Sequence, residues 1–456
     1  MGSSATLLVL LFVLGNGVAV TMGRFLRTEV EVIEEDLDEE LFLMKKSKLV
    51  ANTSVGKIRV FYDSRVPERR LQTAITTMEP RSLLTPHLVA ATQVMYVRSG
   101  EAKLGYIYKN NQRLTQMRLR EGDVYQIPAG SAFYIANEES DQKLEIISGI
   151  EPSQGLRDDV FESFYIAGGA NSGLSGFKEE ILEASFNVSQ EEVTVLINQQ
   201  KGKFVRLKDS QATGTWSKFL ELKEEEKLQQ LREMVQQGQE NEEVEKEDEE
   251  SGDDEEEQQQ TSLPWRMLFK SVFGEEIKNT REKITEDPPR SYNLNKRKPD
   301  FENKYGWRVA VDGSQYHPLK SSGIGIYHEY LSAGSMMAPR VNPMATEYGI
   351  VVNGSGRVQV LFPNGSNAMD TNITKGDVFF IPSNFPYCEI AHKGESLELL
   401  GFTTSAQRNR PVVLVGARSV VRTMEGPELA TSFGVSKEEI KHLVSAQHES
   451  VILPTP

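Results

Sequence analysis

The sequence predicts a mainly β chain built from two antiparallel sandwiches or barrels, each followed by helices, and three repeats carry that prediction. One strand-turn-strand motif occurs twice, as GDVYQIPAG at 122–130 and GDVFFIPSN at 376–384. Each copy has an upstream companion, PHLVAATQVMYVRSG at 86–100 and PRVNPMATEYGIVVNG at 339–354. In both companions a proline leads through a short irregular stretch to an apolar run that closes on a turn, the pattern of a buried strand leaving a loop. A third pair, ASFNVSQEEV at 184–193 and TSFGVSKEEI at 431–440, lies outside the strands. The spacings agree: 376−122 is 254, 339−86 is 253 and 436−189 is 247. The chain is therefore duplicated, and each position in one half can be compared with its counterpart in the other. At 456 residues it exceeds one ordinary core, so two domains with linkers are expected.

Residues 1–23 read as a signal peptide. Leu7 to Leu14 is an apolar run followed by Gly15, Gly17 and Ala19, long enough for a secretory signal and short of the roughly 18 residues of a membrane span. Gly2 with Thr6 also fits a myristoylation pattern, but the apolar run that follows at once favours secretion. No other stretch is long and apolar enough to cross a bilayer, so no membrane partner is expected after signal removal. The single cysteine, Cys388, can form no internal disulfide, so a secreted chain must hold together by packing. On its strand Cys388 follows Tyr387, should face away from it, and reads as a small buried hydrophobe. Five sequons, at Asn52, Asn187, Asn353, Asn364 and Asn372, are candidates for glycosylation.

Residues 24–47, acidic and then basic without clear period, read as a surface arm. The first barrel is expected over 48–170, from KLVANTSVGKIRVFYD through KLGYIYKNNQRLTQMRLREGDVYQIP, with a hairpin turn at Asn110–Asn111, to KLEIISGI. The second, over 307–423, repeats it with WRVAV, GIGIYHEYL, RVQVLFPNGSNAMDTNITKGDVFFIP and LELLGFT, and Asn364–Gly365 stands at the equivalent turn. Helical arms follow at 171–220 and 424–456. Ser189 with Glu192, and Ser436 with Glu439, have capping-box spacing. Behind them Val193, Leu196 and Ile197, and likewise Ile440, Leu443 and Val444, fall at i, i+3, i+4. Each stripe needs a partner, either its own barrel or a neighbouring subunit.

The formal net charge of −15 suggests basic partners until the charge is located. Residues 240–257 hold thirteen acids against Lys246 alone, a local charge of −12 that leaves −3 for the rest, an ordinary globular surface. Such a run cannot bury enough apolar area to offset its conformational entropy, so 221–262 is expected to be a solvated, disordered linker and an early protease target. A connecting helix and extended segment is expected over 263–306. It includes the basic residues Arg290 and Lys296 to Lys298, which lack aromatic support for nucleic-acid binding.

The residues of the duplicated motif resemble the cupins. Of the second cupin signature, G-x5-P-x-G-x2-H-x3-N, the first copy matches Gly122, Pro128, Gly130 and Asn137 and the second Gly376 and Pro382. The two-barrel arrangement looks like a bicupin. GFKEEILEASFN at 176–187 and NLNKRKPDFENKYG at 293–306 are similar to vicilins, the 7S seed storage globulins. This resemblance covers about residue 42 to the C-terminus and implies two jelly-roll cupin barrels, each followed by a helical arm. It further implies a homotrimer joined through those arms, delivered through the secretory pathway to a protein storage vacuole.

A catalytic cupin of the oxidase or dioxygenase kind holds its metal with two His from H-x-H, a carboxylate shortly after and a third His from the second motif. At the corresponding positions the first barrel offers His87, Val89, Gln93 and Phe133, and the second Arg340, Asn342, Glu347 and Tyr387. No H-x-H occurs anywhere in the sequence. Val89 and Phe133 have no donor atom, and a guanidinium repels a cation. No metal, cofactor or catalytic residue is expected on this reading, and His87 reads as a hydrogen-bonded structural imidazole. A guanidinium inside an apolar barrel must be paired, and Glu347 is the expected partner of Arg340. The sharper alternative is that Arg340, Asn342 and Tyr387 capture a small carboxylate or similar anion. The function expected is therefore a non-catalytic seed storage protein, a nutrient reservoir that is later proteolysed. A small-ligand binder, for an anion in the second barrel or for sucrose, is the alternative.

Overall fold

The computed structural model describes residues 40–63, 71–107, 114–152, 163–166, 172–198, 202–207, 289–407 and 410–455. The signal peptide, residues 24–39, the Asn110–Asn111 turn, residues 208–220 of the first helical arm, the acidic linker and residues 263–288 of the expected connecting helix lie outside them. The stretch through Arg206 and again from Pro288 clusters as one compact unit that contains both barrels.

The first barrel closes two antiparallel sheets over one another. One runs in the order Ser47–Asn52, Gly56–Phe61, Gln72–Met78, Leu144–Pro152, Ala91–Ser99, Asp123–Ile127 and Tyr292–Asn293. The other runs Ser163–Tyr165, Ser82–Val89, Ala132–Asn137, Glu101–Ile107 and Leu114–Arg120. Alternate residues of facing strands, among them Val60, Leu84, Met95, Leu104, Tyr125 and Ile146, fill the space between them, as the two-residue period of a strand requires. The signature residue Asn137 sits fully buried at a strand end, where its amide donates to the carbonyls of Glu79 at 3.2 Å and Gln142 at 2.9 Å. It satisfies backbone groups that the ladder leaves over.

The second barrel repeats the plan with one long strand in place of two. Glu347–Leu361 pairs in its first half with Leu397–Thr403 and Val378–Ile381, and in its second half with Pro386–Ala391 and Asn367–Thr374. Gly354, at φ 78°, marks the corner, and Gly100, at φ 83° and 254 positions earlier, marks it in the first barrel. A Cβ on Gly354 would stand 1.7 Å from the Ser396 carbonyl oxygen, so only glycine fits.

The two barrels share their core. Val94, Tyr96 and Ile147 of the first belong to the same apolar cluster as Ile326, Leu399 and Phe402 of the second. Each barrel is also completed by a segment that precedes the other. Tyr292–Asn293 pairs with Asp123–Val124 of the first barrel, and the Asn293 amide donates to Asp123 Oδ1 at 2.8 Å.

Reciprocally, residues 40–46 lie on the second barrel, which corrects the expectation of a surface arm for that part of 24–47. Met44 N donates to Val378 O at 2.8 Å, and Phe380 N donates to Phe42 O at 3.0 Å. The Phe42 ring meets Phe380 and Phe385 edge-on at 5.3 and 5.6 Å. Charge pattern hid this docking, because the apolar residues of LFLM are too few to set a period.

Helices Glu179–Phe186 and Gln190–Asn198 follow the first barrel, and Pro427–Phe433 and Lys437–Ala446 the second. Both capping boxes form: Ser189 N donates to Glu192 Oε2 at 2.8 Å, and Ser436 N to Glu439 Oε2 at 2.8 Å. The stripes behind them divide. Val193 and Ile440, at equivalent positions, are buried within the protein, while Leu443 is 62% exposed.

Candidate functional site

Strand register pairs three of the four metal-address positions in the same way in both barrels. In the first barrel His87 stands opposite Phe133, and Gln93 opposite Ile127. In the second Arg340 stands opposite Tyr387, and Glu347 opposite Ile381. The offsets are 253, 254, 254 and 254 in that order, so the two barrels present the same addresses with different chemistry.

The first address is small and largely apolar. His87, Val89, Gln93, Phe133 and Tyr165 line a cavity of about 30 Å³, room for one or two waters. The His87 ring packs on Phe133 at 4.2 Å and Tyr165 at 5.0 Å. Its Nδ1 lies 2.9 Å from the Thr85 carbonyl, which can only accept, so Nδ1 carries the proton. Burial pushes the imidazole down to about 4, against the pull of that hydrogen bond and with the Lys203 charge adding to the shift. His87 is thus a neutral, fixed ring at neutral pH.

The second address holds a buried ionic cluster. Arg340 Nη2 donates to Glu389 Oε1 at 2.9 Å and Glu329 Oε1 at 3.2 Å, and its Nε donates to Tyr387 Oη at 2.8 Å. The Tyr387 hydroxyl in turn donates to Glu347 Oε2 at 2.8 Å, and the Asn342 amide donates to Glu347 Oε1 at 2.6 Å. Arg308, directly opposite Glu329 in the ladder, donates to its Oε2 at 2.8 Å. The expected direct Arg340–Glu347 ion pair is therefore corrected: Tyr387 stands between the two, and Glu329 and Glu389 are the carboxylates on Arg340. Arg340, Asn342 and Tyr387 do come together, yet nearly all their polar atoms are spent on protein partners. Arg340 Nη1 is the donor left without a hydrogen bond, and Glu389 Oε2 is an acceptor left likewise.

Three carboxylates here face two guanidinium groups. Burial acts against the charge of Arg340, but Glu329 and Glu389 more than offset it and the guanidinium stays charged. Burial pushes the Glu389 carboxyl up to about 8, with Arg340 pulling it down and Glu329 and Glu347 adding to the rise. One proton is thus retained by the cluster near neutral pH. Glu389, with an unpartnered oxygen, is the group that holds it.

The sequence reading missed Glu329, Glu389 and Arg308. Glu389 was legible, since it lies two residues beyond Tyr387 on one strand and so points to the same interior. The counterparts of the three in the first barrel are Thr76 (329−76 is 253), Ile135 (389−135 is 254) and Ile58 (308−58 is 250), all on the wall of the His87 cavity. Among the described residues no group of three or more His, Cys, Asp or Glu is placed to hold a metal ion. Cys388 is a buried free thiol, pushed up to about 11 by that burial and by Glu389. All five sequon asparagines are exposed.

A family model described as Cupin matches residues 43–194 and again 292–441. A vicilin-like seed storage protein of Arabidopsis thaliana is 40% identical over 427 residues, covering 91% of this chain and 80% of that protein. A second from the same plant is 28% identical over 403 residues, covering 83% and 67%. Among solved structures, the vicilin of Corylus avellana (hazelnut) superposes with a TM-score of 0.69 at 20% identity, over 91% of this chain and 100% of that one. The vicilin of Solanum melongena gives 0.70 at 19% identity, over 93% and 99%. Two cupin repeats with helical arms, matched along nearly their whole length by vicilins, leave one family: the chain belongs to the vicilin-like seed storage proteins of the cupin family.

Proposed function

We propose that this protein is a vicilin-type seed storage globulin, a dense, non-catalytic bicupin laid down in a storage vacuole and later digested. One observation carries the non-catalytic reading. At both cupin metal addresses the ligand positions hold side chains that cannot form the ligand set, His87, Val89, Gln93 and Phe133 in one barrel and a salt-linked Arg340–Glu389–Glu329 cluster in the other. A cation entering the second barrel would meet a guanidinium already compensated by carboxylates. Elemental analysis of the native protein tests this: copper, iron or manganese at one per barrel, with turnover of an oxidisable substrate, would refute it.

The assembly we propose is a homotrimer joined through the helical arms. Phe177, Ile181 and Phe186 on the first arm and Met424, Phe433 and Leu443 on the second are exposed apolar residues. Two such faces on one subunit favour head-to-tail closure of identical subunits. A small anion in the second barrel is a further reading, favoured by the unpartnered Arg340 Nη1. The S. melongena vicilin is described as holding different anionic ligands in structurally similar pockets. Excess carboxylate charge opposes an anion here, so acetate should bind more tightly as pH falls below about 8, where Glu389 takes up its proton. Calorimetry that finds no acetate binding at any pH would remove this reading.

A further inference from the structure

The tripeptide Asn-Gly-Ser occurs twice, at 353–355 and 364–366, and the fold gives the two copies opposite surroundings. Identical covalent chemistry in two structural settings isolates what the setting does.

Asn364–Gly365 forms the tip of the hairpin between Glu347–Leu361 and Asn367–Thr374. Gly365 N donates to Phe362 O at 2.9 Å, closing a turn with Pro363 and Asn364 at its centre, and Gly365 follows at φ 88°, the geometry of a turn with a bulge. Asn364 is exposed, and the space where a Gly365 Cβ would sit is open. The Asn364 side chain is held by its neighbour: Oδ1 accepts from Ser366 N at 3.0 Å and from Ser366 Oγ at 2.7 Å. Two donors on one amide oxygen draw charge from Cγ and favour the oxyanion that nucleophilic attack on Cγ would create.

Asn353 is exposed as well, but it lies within a strand and its side chain receives neither of these hydrogen bonds. Asn353 stands opposite Glu398 and Gly354 opposite Leu397 inside a ladder. Ser355 N donates to Ser396 O at 3.2 Å, and Ser355 Oγ donates to Glu395 Oε2 at 2.5 Å. Neither donor is turned to Asn353, and Gly354 is pressed against Ser396.

We propose that Asn364 is a site of spontaneous deamidation through a succinimide, in copies of the protein that carry no glycan there, and that Asn353 is protected by its strand. The steps balance with water alone. When the exposed turn opens, the Gly365 amide nitrogen gives its proton to solvent base and bonds to Asn364 Cγ. The bond from Cγ to Nδ2 then breaks, and Nδ2 leaves as ammonia. Water adds to either carbonyl of the resulting imide, yielding aspartate by one route and isoaspartate, with one extra methylene in the backbone, by the other. A glycan on the same nitrogen makes it a poorer leaving group and blocks the site, so glycosylation and deamidation are alternative fates of Asn364. A reserve protein that waits long before use gives such a slow reaction time to accumulate.

The test uses the full-length protein produced in a host that adds no N-glycans, incubated folded and in denaturant at mildly alkaline pH. Peptide mass mapping then reads the NH₂-to-OH mass gain and the isoaspartate share at each site. In the folded protein Asn364 should convert at least about tenfold faster than Asn353, a barrier difference of roughly 1.4 kcal/mol, and in denaturant the two should converge. Ser366→Ala should slow Asn364 severalfold and leave Asn353 unchanged. Equal rates at the two sites in the folded protein, or faster conversion at Asn353, would overturn the proposal. An Asn364 rate untouched by Ser366→Ala would overturn the activation assigned to that hydroxyl.

Discussion

Arg340 and Tyr387 face each other across one ladder, with the guanidinium Nε donating to the phenol at 2.8 Å and its carbon 4.7 Å from the ring centroid. At the same address 253 to 254 positions earlier, His87 faces Phe133 with the rings 4.2 Å apart. A shared backbone thus carries an ionic interior in one barrel and an uncharged one, lined by apolar and neutral polar side chains, in the other. The consequences for stability differ accordingly.

Arg340→Met should lower unfolding free energy by about 3–5 kcal/mol, because the buried carboxyl groups of Glu329, Glu347 and Glu389 would be left with Arg308 as their one guanidinium. Glu389→Gln should cost only about 1 kcal/mol, since it replaces a carboxyl that is already protonated near neutral pH. Denaturant titration of the two variants ranks them, and a Glu389→Gln loss as large as that of Arg340→Met would contradict the proton assignment.

Stability should fall on both sides of a mildly acidic optimum, for two separate reasons. Glu389 is raised from 4.5 to about 8, so its contribution is complete below 4.5 and is lost as pH climbs through 8. His87 is lowered from 6.5 to about 4, so its contribution is complete above 6.5 and is lost as pH drops through 4. A tenfold change in proton affinity between the folded and unfolded states is worth about 1.4 kcal/mol. Glu389→Gln should flatten the alkaline limb and His87→Gln the acid limb, as read from melting temperature against pH. Parallel pH profiles for wild type and both variants would refute the assignments.

Phe42→Ala should destabilise the protein by about 3 kcal/mol, the usual loss for a large buried aromatic. Its ring meets Phe380 and Phe385 of the second barrel and its backbone N–H donates to Met369 Sδ, all far from it in sequence. An unchanged denaturation midpoint would show residues 40–46 to be an unanchored arm after all.

Leu443→Glu should separate assembly from folding. The residue is 62% exposed on a capped helix, so the subunit should keep its circular dichroism while sedimentation shifts from the proposed trimer to monomer. A trimer that persists with glutamate at this position would place the contact elsewhere.

Much of the architecture was legible because it is written in local pattern and repeated. Alternation along WRVAV, the Asn364–Gly365 turn and the Ser436–Glu439 capping box each specify structure within a few residues, and each has a duplicate that supports it. The site was half legible. Motif spacing located His87, Val89, Gln93, Phe133 and their counterparts, and their residue types excluded the cupin ligand set. Spacing could not reveal that Arg308 and Glu329 join Arg340, since they arrive on strands outside the motif.

Residue order alone was enough for the duplicated β architecture, the helical arms and the residue types standing at the cupin ligand positions, because strand period, capping and motif spacing are local properties. Folding in three dimensions settled which carboxylates neutralise Arg340, where Phe42 docks and which Asn-Gly-Ser copy lies within a strand ladder. Those outcomes depend on contacts between segments far apart in sequence, which strand register and barrel closure fix and no local pattern encodes.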